Sequence, residues 1–206
     1  APTAGYNGAA SIEMTTSDNG SSGSGGAQSD TDTISIVVEP LNPEVTSVSS
    51  STADGIYKIG DTITFTVTFD QSVVVDTAGG SPSLLLDTGA TDRSATYVGG
   101  SGTNTLTFSY TVQAGDVSGD LDYQSTGALS LDGAVIESAA GDAAILTLPT
   151  TGGVDSIAGQ RDLVIDGIIP TASIVVSDTA LAIGETATVT ITFSEAVTAI
   201  SADDFT

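Results

Sequence analysis

The chain contains no cysteine, no histidine and no tryptophan, and only three basic residues: Lys58, Arg93 and Arg161. Without cysteine there can be no disulfide, thiolate metal site or thiol nucleophile. Without histidine the commonest general base and the commonest transition-metal ligand are missing. Three cations against 26 acids leave a formal charge of −23. That balance excludes nucleic acid as a partner, because neutralising phosphates takes basic side chains. It excludes attraction to an anionic membrane surface for the same reason. No apolar run reaches the roughly 18 residues of a membrane-spanning helix, so membrane insertion is not expected. No signal peptide opens the chain, which reads as a mature or internal segment.

What is present is apolar enough to fold. Hydrophobic residues make up 39% and charged ones 14%, a balance that allows a core and argues against a disordered polyelectrolyte. Of the 26 acids, 20 are Asp. Aspartate is a poor helix and strand former but a good turn residue and a hard oxygen donor. A bound metal would therefore be a hard cation, with calcium the first candidate.

The dominant pattern has period two. In Ile63-Thr64-Phe65-Thr66-Val67-Thr68-Phe69 and Leu106-Thr107-Phe108-Ser109-Tyr110-Thr111-Val112, apolar residues alternate with hydroxyl residues. Such alternation predicts strands with one buried and one wet face. Phe65, Val67, Phe69, Leu106, Phe108 and Tyr110 are predicted inward; Thr64, Thr66, Thr68, Thr107 and Ser109 are predicted outward. Shorter strands are predicted at 12–16, 34–38, 45–49, 83–86, 95–98, 120–124, 163–165, 174–176 and 188–193. Clusters of Gly, Ser, Asp and Asn separate them, and no amphipathic helix stands out. The expected fold is an all-β antiparallel sandwich.

An internal repeat sets the organisation. Residues 59–73, IGDTITFTVTFDQSV, recur as 183–197, IGETATVTITFSEAV, with eight of 15 positions identical at an offset of 124. Asp61 falls on Glu185 and Asp54 on Asp178. A fixed period that carries loop acids with it indicates tandem modules. The expected division is one complete module over 43–167 and partial ones over 1–40 and 171–206, as in a piece cut from a longer chain. Asp166-Gly-Ile-Ile-Pro170 is the linker between the last two.

The stretches STADGIYKIGDTITFTVTF (51–69), ATYVGGSGTNTLTFSYTVQAGD (95–116), LDYQSTGAL (121–129) and RDLVID (161–166) resemble the immunoglobulin-like repeats of large bacterial surface adhesins of the repeats-in-toxin class. Residues 11–38, ending in SDNGSSGSGGAQSDTDTISIVV, are similar to the last two strands of a bacterial cadherin-like repeat. Residues 171–206 resemble the start of a further immunoglobulin-like repeat. The linker departs from the family's usual Asp-Thr-Thr-Ala-Pro. The resemblance implies tandem immunoglobulin-like sandwiches, one complete and two partial. It also implies an extracellular, cell-surface location, calcium at the junctions, and neighbouring modules of the same or identical chains as partners.

In sandwich order, with A near Val45, B near Ile63, E near Leu106, F near Leu121 and G near Leu163, the A–B and E–F loops share an end with the exit of G. Asp54, Asp61, Asp116, Asp120 and Asp166 should therefore meet at the end facing the next module. Glu195, Asp203 and Asp204 of that module would complete a carboxylate seam able to hold calcium. A weaker seam is Glu39, Asn42 and Glu44 with Asp70 and Asp76 of the B–C loop. Asp30 and Asp32 form a further Asp-x-Asp pair. Each acid taken singly reads better as a solvated turn former; the calcium reading belongs to the cluster.

Catalysis finds little support. A glycosidase carboxylate pair would want aromatic platforms, and the few aromatics sit at inward strand positions. Gly99-Gly-Ser-Gly102 has neither a following Lys-Ser/Thr nor a helix, so it is a hairpin rather than a phosphate loop. Lys58, Arg93 and Arg161 read as surface ion-pair partners. The sequence thus points to a non-catalytic structural segment of a secreted adhesin. Two rivals are a filament or surface-layer subunit assembled by strand complementation, and a carbohydrate- or ice-binding module using the threonine stripes.

Overall fold

The alternating stretches fold as strands in the computed structural model, which describes residues 8–20, 24–38, 42–198 and 201. In chain order the elements are β1 (Gly8–Ser17), β2 (Ser29–Val38), β3 (Val45–Ser50), β4 (Gly55–Lys58), β5 (Thr62–Asp76), β6 (Ser83–Leu86), β7 (Arg93–Gly99), β8 (Thr103–Thr111), β9 (Val117–Ser118), β10 (Leu129–Ser130), β11 (Val135–Ser138), α1 (Ile157–Gln160), β12 (Leu163–Asp166), β13 (Ala172–Val176) and β14 (Val189–Phe193). The chain is nearly all β, as an immunoglobulin-like fold requires.

The centre is a sandwich of two unequal sheets. The larger has the order β10-β6-β7-β8-β5-β11, with β3 also paired to β5. The smaller is β4-β12-β9. Pairing is antiparallel except between β4 and β12, which run parallel with Lys58 opposite Asp166. Between the sheets lies one core, in which Phe65, Val67, Phe69, Leu106, Phe108 and Tyr110 are all buried, together with Leu121, Tyr123, Ile157, Leu163 and Ile165. Thr64, Thr66, Thr68, Thr107 and Ser109 lie on the outer face, half-buried by their neighbours. The inward and outward assignments made from alternation therefore hold on both long strands.

Three local expectations need correction. Residues 120–124 form no continuous strand: Leu121 donates its amide to Leu163 O and Tyr123 bridges to Leu86, so this segment crosses from one sheet to the other. The segment taken as the A–B loop contains β4, recruited by parallel pairing that local sequence does not signal. β5 does not end near Phe69. It shifts register between Thr68 and Val73, then continues to Asp76 against β11, so Asp70 and Asp76 lie in a strand rather than a loop. Val73, Val74 and Val75, β-branched residues that suit a pleat, carry it onward. The only helix among the described residues is the single turn α1, capped by Ser156, whose hydroxyl accepts from the Gly159 amide.

Before and after the sandwich in chain order come two-stranded hairpins, β1-β2 and β13-β14. The repeat is visible in the turn before its second strand. Asp61 Oδ2 accepts the Lys58 amide and Asp61 N donates to Lys58 O; Glu185 Oε2 and Glu185 N do the same with Ala182. Gly60 and Gly184 hold matching positive φ of 92° and 93°.

Candidate functional site

The acids expected at the far end of the sandwich divide into different jobs, and Asp116 shows the division best. It sits in the turn after β8 with its side chain buried. Its Oδ1 accepts Arg93 Nε at 2.9 Å, and its Oδ2 accepts both the Tyr110 hydroxyl and, at 2.8 Å, the Gln113 amide. Burial alone would raise the carboxyl pKa. The hydrogen bonds from Tyr110, Arg93 and Gln113, with the Arg93 charge, outweigh it and hold the group below its ordinary value. Tyr110 moves the opposite way: burial first, then its bond to Asp116, push the phenol above its usual range.

This network fixes the turn 113–116, and the turn clamps the exit of β12. Gly115 N donates to Gly167 O at 2.8 Å, and Gly167 N donates to Asp116 O at 2.7 Å. Gly167 is buried so closely that a Cβ there would stand 2.4 Å from Gln113 O and 2.7 Å from Asp116 O. Only glycine fits. Sequence reasoning read Arg93 as an ion-pair partner and Tyr110 as a core residue without joining either to Asp116, and it gave Gly167 no role. The available signal was Gly167 itself, directly after the last strand of the repeat.

Asp166 and Glu195 line one cleft of about 410 Å³, with Lys58 and the linker residues Ile168, Ile169 and Pro170. The other expected ligands are engaged locally. Asp54 Oδ1 accepts the Asp162 amide at 3.2 Å and lies 4.0 Å from Arg161. Asp61 closes its turn. Asp120 is exposed, and its pKa is raised by desolvation and by the nearby charges of Asp162 and Asp122. Asp203 and Asp204 lie outside the described residues.

The weaker seam is not brought together as one site. Glu44 N donates to Asp70 Oδ1 and Asp70 N to Glu44 O, tying β3 to β5. Asn42 Nδ2 donates to Ala143 O at 2.6 Å, and Asp76 Oδ1 accepts the Ala78 amide. Glu39 lies outside the described residues. Asp30 and Asp32 precede Ile34 and Ile36 on one face of β2, opposite Thr16 and Met14. Among the described residues no group of three or more acids is arranged to hold a metal ion. Of the cations, Arg93 and Arg161 form the ion pairs and Lys58 forms none with a described residue.

No described helix is long and apolar enough to cross a membrane. Residues 166–206 match the family model of a bacterial immunoglobulin-like domain, beginning at the last residue of β12. No curated protein and no solved structure matches the chain.

Proposed function

We propose that this chain is a non-catalytic extender segment of a large secreted cell-surface adhesin of the repeats-in-toxin type. In this reading 1–40, 43–167 and 171–206 are a partial cadherin-like module, a complete immunoglobulin-like module and the start of another. The similarity of 166–206 to a bacterial immunoglobulin-like domain supports it, since such domains are typically structural, non-catalytic and often surface-exposed. The observation that carries it is the clamp on Gly167. A spacer needs successive modules to meet at a set angle. Here Gly167, the linker residue directly after β12, is pinned by two hydrogen bonds to a turn held by a buried carboxylate. Two β-branched residues and Pro170 follow, and each narrows the linker's freedom.

Calcium is proposed for the same junction. Asp166 and Glu195 supply two carboxylates of the roughly 6–8 oxygens the ion needs, so such a site would draw on Asp203 and Asp204 as well. One experiment tests both parts. The chain has no cysteine, so Thr111→Cys with Thr190→Cys gives a clean pair for spin labels, both on exposed positions. The expected result is a single narrow distance distribution, narrower in millimolar calcium than in chelator. Gly167→Val should broaden it. A broad distribution in every condition sinks the extender; equal widths with and without calcium remove calcium and leave the extender standing.

A second reading, the complementation filament, is favoured by the hairpins. Ile12, Met14 and Ile34 share one face of β1-β2 and are 55%, 57% and 62% exposed. Ile174, Val176 and Val189 share one face of β13-β14 and are 65%, 41% and 56% exposed. A two-stranded hairpin is marginal by itself, and such faces recruit partners. Sedimentation over a range of concentration decides it. Growth of mass with protection of amides in both hairpins would establish the filament, whereas a monomer at every concentration rules it out.

A further inference from the structure

Lys58 is the one cation left without an ion pair among the described residues of a chain carrying −23. Its position is specific. It ends β4 directly opposite Asp166, which ends β12, and in a parallel pair such partners project to the same side of the sheet. Both line the cleft of about 410 Å³ that Glu195 also lines. Glu195 Oε1 is removed from solvent there and has no hydrogen-bond partner among the described residues. A carboxylate oxygen in that state is costly unless a donor reaches it, and a cation is the best donor. Neither Asp166 nor Glu195 can serve the other, since ionised carboxylates only accept.

We propose that Lys58 is a built-in latch of this junction: its ammonium bridges Asp166 on the sandwich and Glu195 on the following segment, closing the cleft over the linker. The inference rests on the extender reading and adds the contact that sets the junction angle when no metal ion is bound. A lysine suits the task because its flexible stem carries a compact charge with three donors, enough for two carboxylates. Asp61, the other acid near Lys58 in sequence, is already committed to the Lys58 amide and the turn it closes.

The test is amide exchange, read by mass spectrometry on the full chain in chelator at low salt, over peptides covering 167–170 and 195–198. Lys58→Gln should speed exchange there roughly tenfold, the scale of losing one charged hydrogen bond. Lys58→Arg should stay near the parent, and the charge swap Lys58→Glu with Glu195→Lys should recover most of the protection. Exchange in β5 and β8 should be unchanged in all of them, which separates a released latch from a misfolded sandwich. Identical exchange in the parent and Lys58→Gln overturns the latch, as does a charge swap no better than Lys58→Glu alone. The extender reading is judged separately by the width of the parent's label distance.

Discussion

Phe108→Ala is expected to destabilise the central sandwich by about 3–5 kcal/mol, enough to unfold a domain of ordinary stability. Phe108 is fully buried near the middle of the large sheet. It faces Phe65 across β5 and Tyr97 across β7, and meets the Tyr97 ring edge-on at 5.9 Å between centroids. Truncation removes that contact and leaves a cavity between three strands, where backbone hydrogen bonds resist collapse. Thr66→Ala, one pleat away on the outer face, should cost less than about 1 kcal/mol, since it removes one methyl and one half-wet hydroxyl. Denaturant unfolding of the two variants gives the comparison. Equal costs would mean that the register of β5 against β8 is wrong.

The second large effect is at Asp116. Asp116→Ala leaves the Tyr110 hydroxyl and the Gln113 amide without their acceptor in a buried place, and deprives Arg93 of its partner. Arg93 is partly exposed and can turn to water, so a loss of about 2–4 kcal/mol is expected, below that of a fully buried pair. Asp116→Asn keeps the shape but offers one acceptor where three donors converge, and should fall between. The dependence on pH has a definite sign. The folded pKa lies below the ordinary 3.8, so the contribution of Asp116 is complete above that value and is lost as pH falls through the depressed folded one. Acid titration of stability should therefore be steeper below pH 3.8 in the parent than in Asp116→Asn. If the two curves run parallel there, the carboxylate is not the charge holding the turn.

Asp116 also shows where reading the sequence stops. The strands β5 and β8, their inner and outer faces and the recurring turn at Asp61 and Glu185 are all written within stretches of about a dozen residues. A pleat alternates sides at every residue, and a tight turn is closed by its own side chain, so local order suffices. β4 is four residues with no alternation of its own. It is a strand because β12, more than a hundred residues later, runs parallel beside it. Likewise nothing local distinguishes Asp116, held by Arg93 and Tyr110, from Asp120, exposed and repelled by Asp162 and Asp122. Both are aspartates in one glycine-rich turn, and both read as members of a single carboxylate seam. Composition determined that this chain would be an acidic β protein without thiol or imidazole chemistry, and alternation determined its core. Which acid became a buried tie, which closed a turn and which lined a cleft with Lys58 was decided only by the tertiary structure, because the energy of a carboxylate depends on the donors that folding brings to it from distant parts of the chain.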